Sequence, residues 1–418
     1  MIFLVFTQGL WERVFFFSSL IQYTIDGAIV IFIIFQFKFN RNVPGSKVFL
    51  FLCLIFFSVS VLNNSSIIRA LFYMRFLLYT YVIYNQLFSV IIPPKTWMKI
   101  LRFLGLMVLI QGGGAFFNIF ILGERIEGYV GLMSSLGGTT ATVFPLLIST
   151  LVLIYYLFSP KLSTKALIML SLFLFSGFLV GYSSGKRGIY FIIPIILTVT
   201  LIMALPKLKK TGYFNRKISG LALAGSLIFP LMIFGIMNSK GLNYTLSGNE
   251  SASEVISRSI TYADGYENAT DQYGNTTGRS NTTLRILENT LSDPLLFFIG
   301  YGFGATKEEA TLKSLGFVYG IVGFTRDLIS GGVFLSLLTI VILGRVIYVN
   351  KSIKTDVTTI VRRAILIIFL YIHLFYSSDF TVSIKINLIV IIIMALLNSP
   401  VHHMILIDLL KTRKFIKQ

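Results

Sequence analysis

ALIMLSLFLFSGFLVGYSSGKRGIYFIIPIILTVTLIMAL, residues 166–205, decides the fold. Two apolar runs, 166–183 and 188–205, flank a tight polar break. Each run matches the roughly 18 or more mostly apolar residues that cross a bilayer as a helix. Closed barrels are the other spanning solution, and they need short alternating segments that this chain lacks. Such runs recur outward in both directions. Eleven spans are expected, at about 14–37, 47–63, 66–92, 100–122, 139–158, 166–183, 188–205, 218–237, 329–349, 362–378 and 382–398. The first ten or so residues add a partial span or an interfacial segment. Composition agrees: 55% of the 418 residues are hydrophobic, 13% are charged, and mean hydropathy is +0.81. A soluble globule carries about 25% charged residues. The expectation is an all-α, polytopic transmembrane helix bundle.

The formal net charge of +19 reads as topology rather than as a nucleic-acid surface. Lys and Arg collect on short cytoplasmic loops of membrane proteins. The basic breaks alternate with uncharged or acidic ones. Basic breaks hold Lys38, Arg41 and Lys47; Lys95, Lys99 and Arg102; Lys161 and Lys165; Lys207 to Lys217; Lys351 to Arg363; and the tail from Lys411. The others, 63–66, 123–138, 183–188, 238–328 and 377–383, belong outside. Every expected span then joins an inside break to an outside one, with the N-terminus outside. No cleavable signal peptide is expected, because Glu12 and Arg13 interrupt the first segment, which runs on into more apolar sequence. The single Cys53 lies in an apolar run, so no disulfide framework or paired-cysteine metal site is expected.

The chain thus divides into residues 1–237 with eight spans, an extracytoplasmic loop at 238–328, and residues 329–418 with three spans and a cytoplasmic tail. The loop holds ten acids and seven bases, whereas the remainder holds 29 bases and seven acids. Loops beyond about 12–15 residues are usually functional or disordered. From Thr282 to Leu315 the loop reads as helical. Leu284, Leu287, Leu291 and Leu295 mark one apolar face, and Asn281 or Thr282 serves as the cap.

Several residues stand out chemically. Lys186 and Arg187 occupy an outside break, where bases are discouraged. They form either a snorkelling pair touching lipid phosphate or an anion site; the planar fork of an Arg suits bidentate phosphate binding. Arg285 opens the loop helix, paired with Glu288 or aimed at an anion. Gly300-Tyr301-Gly302-Phe303-Gly304 lacks the strand–turn–helix context of a nucleotide loop and reads as a tight turn against the membrane surface. Arg69 and Arg75 fall inside the third span, where a central charge costs about 2.5–3.5 kcal/mol on insertion scales. Arg75 is expected to face the bundle interior, with Asp26 or Asp379 as candidate partner. His373 reads as a packed core histidine. No zinc signature or aspartate cluster calls for a metal.

Taken in order, these pieces resemble the O-antigen polymerase and ligase family, bacterial membrane glycosyltransferases acting on undecaprenyl-diphosphate-linked sugars. Ser184-Gly185-Lys186-Arg187-Gly188 looks like the family's arginine break at the outer start of a span. The long loop follows two spans later. Arg285 precedes Asp293-Pro294-Leu295 and the glycine-rich run. Asp327-Leu328-Ile329-Ser330-Gly331-Gly332-Val333-Phe334 resembles the return into the next span. The resemblance covers about 166–349. It departs from the ligases, whose histidine–asparagine pair has no counterpart in Gly316–Ile321. A repeat-unit polymerase with a GT-C-like bundle in the bacterial inner membrane is therefore implied; a lipid-linked oligosaccharide flippase and a ligase are the alternatives. The implied substrate is an undecaprenyl-diphosphate-linked oligosaccharide, among membrane lipids and with a chain-length regulator protein as expected partner. No cofactor, metal or nucleic acid is implied. Arg187 and Arg285 are the expected catalytic pair. Lys186, Arg258, Arg69, Arg75, Gly300, Gly302, Gly304 and Asp327 are the expected substrate contacts. Glu308 or Asp327 is the candidate base.

Overall fold

The computed structural model describes residues 6–15, 18–36, 46–64, 67–89, 93–123, 130–133, 139–158, 163–185, 188–208, 214–237, 278–302, 305, 321–347, 356–375 and part of 388–395. Thirteen helices can be numbered among them. They are α1 Gln8–Phe15, α2 Ser18–Gln36, α3 Ser46–Asn64, α4 Ile67–Ser89, α5 Pro94–Phe116, α6 Thr139–Phe158, α7 Thr164–Ser184, α8 Gly188–Leu208, α9 Phe214–Met237, α10 Arg279–Leu291, α11 Pro294–Ile299, α12 Gly323–Ile347 and α13 Asp356–Phe375. No β-strand occurs among the described residues. Among the described residues, six stretches are long and apolar enough to cross a membrane: Lys95–Ile121, Ala141–Phe158, Thr164–Ser184, Gly188–Pro206, Phe214–Gly235 and Gly323–Val341. The chain is a helical membrane protein.

The centre of the bundle is α7, which packs on α5, α6 and α9. Ser163 starts it, its side chain accepting a hydrogen bond from the Ala166 amide at 3.2 Å, and Gly185 ends it in the left-handed region at φ 62°. Small residues let its neighbours approach. A Cβ on Gly112 would lie 2.4 Å from Ser176 Oγ, which donates to the Val108 carbonyl of α5. In lipid, close packing and such interhelical bonds replace the hydrophobic drive. Pro145, Pro194, Pro206 and Pro230 sit inside helices. Membrane helices tolerate them because neighbouring groups satisfy the freed carbonyls.

These contacts also set the two ends of the bundle. Tyr156 and Leu157, at the close of α6, meet Lys217 at the start of α9. Lys95, Lys99, Arg102 and Lys165 belong to that same basic end. Tyr182, at the close of α7, stacks on Phe120 and on Phe234, so the last turns of α5, α7 and α9 share the opposite end. α13 and α12 run past each other, with the His373 ring edge-on to Phe324 at 6.2 Å.

α1 docks at this second end. Its anchor is Gln111, fully buried in α5. Gln111 Nε2 donates to the Phe6 carbonyl at 3.0 Å, and its Oε1 accepts from the Leu132 and Met133 amides at 2.7 and 2.9 Å. Just beyond, α5 widens into a π-turn, Phe117–Ile121. Asn118 in that turn accepts from Arg13 Nη1 at 3.1 Å and donates to the Gly131 carbonyl at 3.3 Å. Gln111→Ala strips the buried Met133 amide and the half-buried Leu132 amide of their acceptor, a loss of about 2 kcal/mol. Thermal unfolding of the purified chain is expected to show it, together with faster proteolysis before residue 16.

Candidate site at the elbow of α12

The loop helix is shorter than the sequence pattern suggests. α10 stops at Leu291, Asp293 and Pro294 start α11, and Gly300 ends α11 at φ 64°. Asp293 Oδ1 accepts from the Leu295 and Leu296 amides at 2.8 and 3.3 Å, and Pro294 takes the first helical position, where no amide is needed. The expected cap at Asn281 or Thr282 is corrected to Gly278, which has no side chain with which to cap the helix. Of the expected leucine stripe, Leu295 falls on α11; Leu284 and Leu291 are 57% and 61% exposed and Leu287 is half-buried against Ile286 and Leu328, while Thr282, Ile286 and Thr290 are buried.

α10 packs through that threonine–isoleucine face on α12, and Arg279 donates to the Phe375 carbonyl at the end of α13. At 100° per residue, Arg285 shares one flank of α10 with Asn281, Asn289 and Ser292. Arg285 is half-buried there. α11 delivers Gly300 to the flank of α12, where the Tyr301 amide donates to the Ile329 carbonyl at 2.6 Å. Burial, reinforced by the Asp293 carboxylate, pushes the Tyr301 phenol up, so it stays neutral at ordinary pH.

α12 is not a straight rod. Gly331 (φ −151°, ψ 18°) and Gly332 (φ 59°, ψ −157°) break it into two arms. The bend is sharp. Thr339 Oγ1 donates to Asp327 Oδ2, twelve residues back, across a span that a straight helix would stretch to about 18 Å. Non-helical backbone at membrane depth is tolerated where protein encloses it. Both glycines are buried, with Phe56 of α3 beside Gly331. Ser336 Oγ donates to the Gly332 carbonyl at 3.3 Å. Thr325 accepts from the Val322 amide at 2.9 Å and closes the start of the first arm. The span expected at 329–349 therefore contains the elbow.

α10, α11 and the elbow bring Arg285, Gly300, Gly302 and Asp327 into one neighbourhood. Gly302 has φ 94°, and Asp327 is wholly enclosed. Arg75 sits elsewhere, with its Nε 3.2 Å from Asp26 Oδ2 between α4 and α2. Arg69 lies on α4, its side chain outside the described residues. Lys186, Arg187, Arg258, Gly304 and Glu308 also lie outside them. Gly185 and Gly188, on either side of the expected cation pair, stand at the end of the bundle where α10 packs. His373 is buried, as expected of a core histidine. Sequence reasoning missed Thr339, Ser336 and the Gly331–Gly332 break; the one signal was two adjacent glycines after Ser330. It also missed the tie of Arg13 to Asn118. No protein-family model matches the chain, and a search of curated proteins returns no match.

Proposed function

We propose that this protein is a membrane glycosyltransferase of the O-antigen polymerase kind, with eleven spans, its N-terminus and the elbow of α12 on the extracytoplasmic side, in a bacterial inner membrane. The donor is a glycan on a lipid diphosphate, and the acceptor is a sugar hydroxyl of another lipid-linked repeat. The observation that carries this reading is the seating of the Arg285 helix. α11 and Gly300 lock α10 onto the elbow of α12, at the end of the bundle where the α7–α8 turn also lies.

In the reaction the acceptor oxygen bonds to the anomeric carbon as the bond to the diphosphate breaks. The electron pair leaves with the diphosphate, and the hydroxyl proton passes to a base. A guanidinium fixed beside the leaving group lowers the barrier because it is already aligned when charge develops. Arg285, on one flank with Asn281 and Asn289, is half-buried, which weakens screening by water. The flippase alternative drew on Arg75 as a charge inside the bundle; its pairing with Asp26 removes much of that motive.

Arg285→Ala is expected to cut chain elongation by about 10²–10³-fold, the usual loss for one aligned donor. Arg285→Lys keeps the charge without the fork and is expected to restore little. The readout is the polymer ladder of cells carrying each variant at wild-type protein level, with single lipid-linked repeats accumulating on the outer leaflet. A normal ladder in Arg285→Ala removes Arg285 from the reaction; repeats trapped on the inner leaflet point to the flippase.

A further inference from the structure

At the basic end, far from the elbow, a crevice of about 640 Å³ opens between α5, α6 and α7. Its walls are apolar, with Leu101, Leu106, Ile148, Leu151, Met169 and Phe173 among them, and Val361 of α13 contributes at its edge. Two charged side chains line it, Arg102 from α5 and Lys165 from α7, and both are exposed. No acidic residue lines it. Gly105 opens the wall: a Cβ there would press on Phe173 at 3.3 Å. The crevice faces sideways as well as endways, since Leu106 in its lining and Ile168 beside Met169 are 54% and 53% exposed.

We propose that this crevice binds an anionic glycerophospholipid of the leaflet at the basic end. One acyl chain lies along the apolar walls, and Arg102 and Lys165 hold the phosphodiester. The lateral opening lies along membrane-spanning helices, where acyl chains are the neighbouring material. A volume of this size suits a small amphiphile rather than a folded partner. Two cations without a carboxylate select a net negative headgroup, whereas the ammonium of a choline headgroup is repelled. Basic pockets between membrane helices on the cytoplasmic side take anionic headgroups for this reason. The site stands whether or not the elbow is catalytic.

The test uses the purified full chain in mild detergent, titrated with dioleoylphosphatidylglycerol or dioleoylphosphatidylcholine and read by native mass spectrometry. The wild type is expected to retain one phosphatidylglycerol about tenfold more tightly than phosphatidylcholine, at about one tenfold step for the pair of cations. Arg102→Gln with Lys165→Gln is expected to erase that preference. Lys99→Gln, which removes the same kind of charge from α5 outside the crevice, is expected to keep it. Met169→Trp fills the crevice without changing charge and is expected to lower retention of both lipids. Inorganic phosphate, lacking chains, is expected not to displace the lipid. Equal retention of both lipids by the wild type overturns the proposal. So does an undiminished preference in the double variant, or an equal loss in Lys99→Gln.

Discussion

Gly332→Ala is expected to unseat α11 and lower the stability of the purified chain by more than about 3 kcal/mol, because it combines backbone strain with displaced backbone. At φ 59° and ψ −157° the residue occupies a region that is essentially reserved for glycine. Space is as restrictive as the dihedrals. A Cβ would lie 2.4 Å from the Phe298 carbonyl carbon and 2.6 Å from both the Ile299 nitrogen and the Phe297 oxygen. All three are backbone atoms of α11 and cannot rotate away. Gly300 faces the same junction, its own Cβ position 2.6 Å from the Gly332 nitrogen. Two glycines thus press backbone on backbone, and adding one methyl group must push α11 off α12. Gly344→Ala is the control. Nothing lies within 4 Å of its Cβ position, and an alanine inside a helix gains up to about 1 kcal/mol over glycine. Unfolding monitored by heat or by detergent titration separates the two. A Gly332→Ala protein that unfolds with the wild type would mean that the elbow is not a glycine-dependent junction.

Several helices of the bundle were legible because bilayer thickness fixes helix length, and basic breaks marked which helix ends meet: Lys95, Lys165 and Lys217 gather at one end. The runs at 139–158, 166–183 and 188–205 match α6, α7 and α8 to within a few residues. Both prompts are one-dimensional, which explains what they miss. The elbow needs a backbone shape, and Gly331-Gly332 within an apolar run looks like any close-packing pair. The inward face of α10 illustrates a second limit. Thr282 and Thr290 face protein while Leu284 and Leu291 face outward, so apolarity alone does not label the inward face of this helix. Asp327 was singled out for its charge, but its partner Thr339 lies across a bend that no spacing rule anticipates. Arg285 was legible as a residue; the flank it shares with Asn281 and Asn289 became visible only once the helix had a register against α12.

Asp26 and Arg75 give the other large expected effect. Each lies eight residues into its helix, about 12 Å of rise from the helix start. Their side chains are 15% and 13% exposed, and the Tyr79 hydroxyl, one turn beyond Arg75, hydrogen-bonds Asp26. Removing one member of such a pair strands a largely buried charge, so Asp26→Asn and Arg75→Gln are each expected to cost up to about 3–5 kcal/mol. Replacing both members by apolar residues of similar size, Asp26→Leu with Arg75→Met, removes the stranded charge and is expected to be neutral or stabilising by about 1–4 kcal/mol. A double-mutant cycle read by unfolding isolates the coupling. The same double variant also decides what the arginine is for. On the glycosyltransferase activity proposed above, if Arg75 serves only to match Asp26 within the bundle, the stable double variant builds a full polymer ladder. If its guanidinium also meets the substrate, the double variant folds and yet fails to elongate.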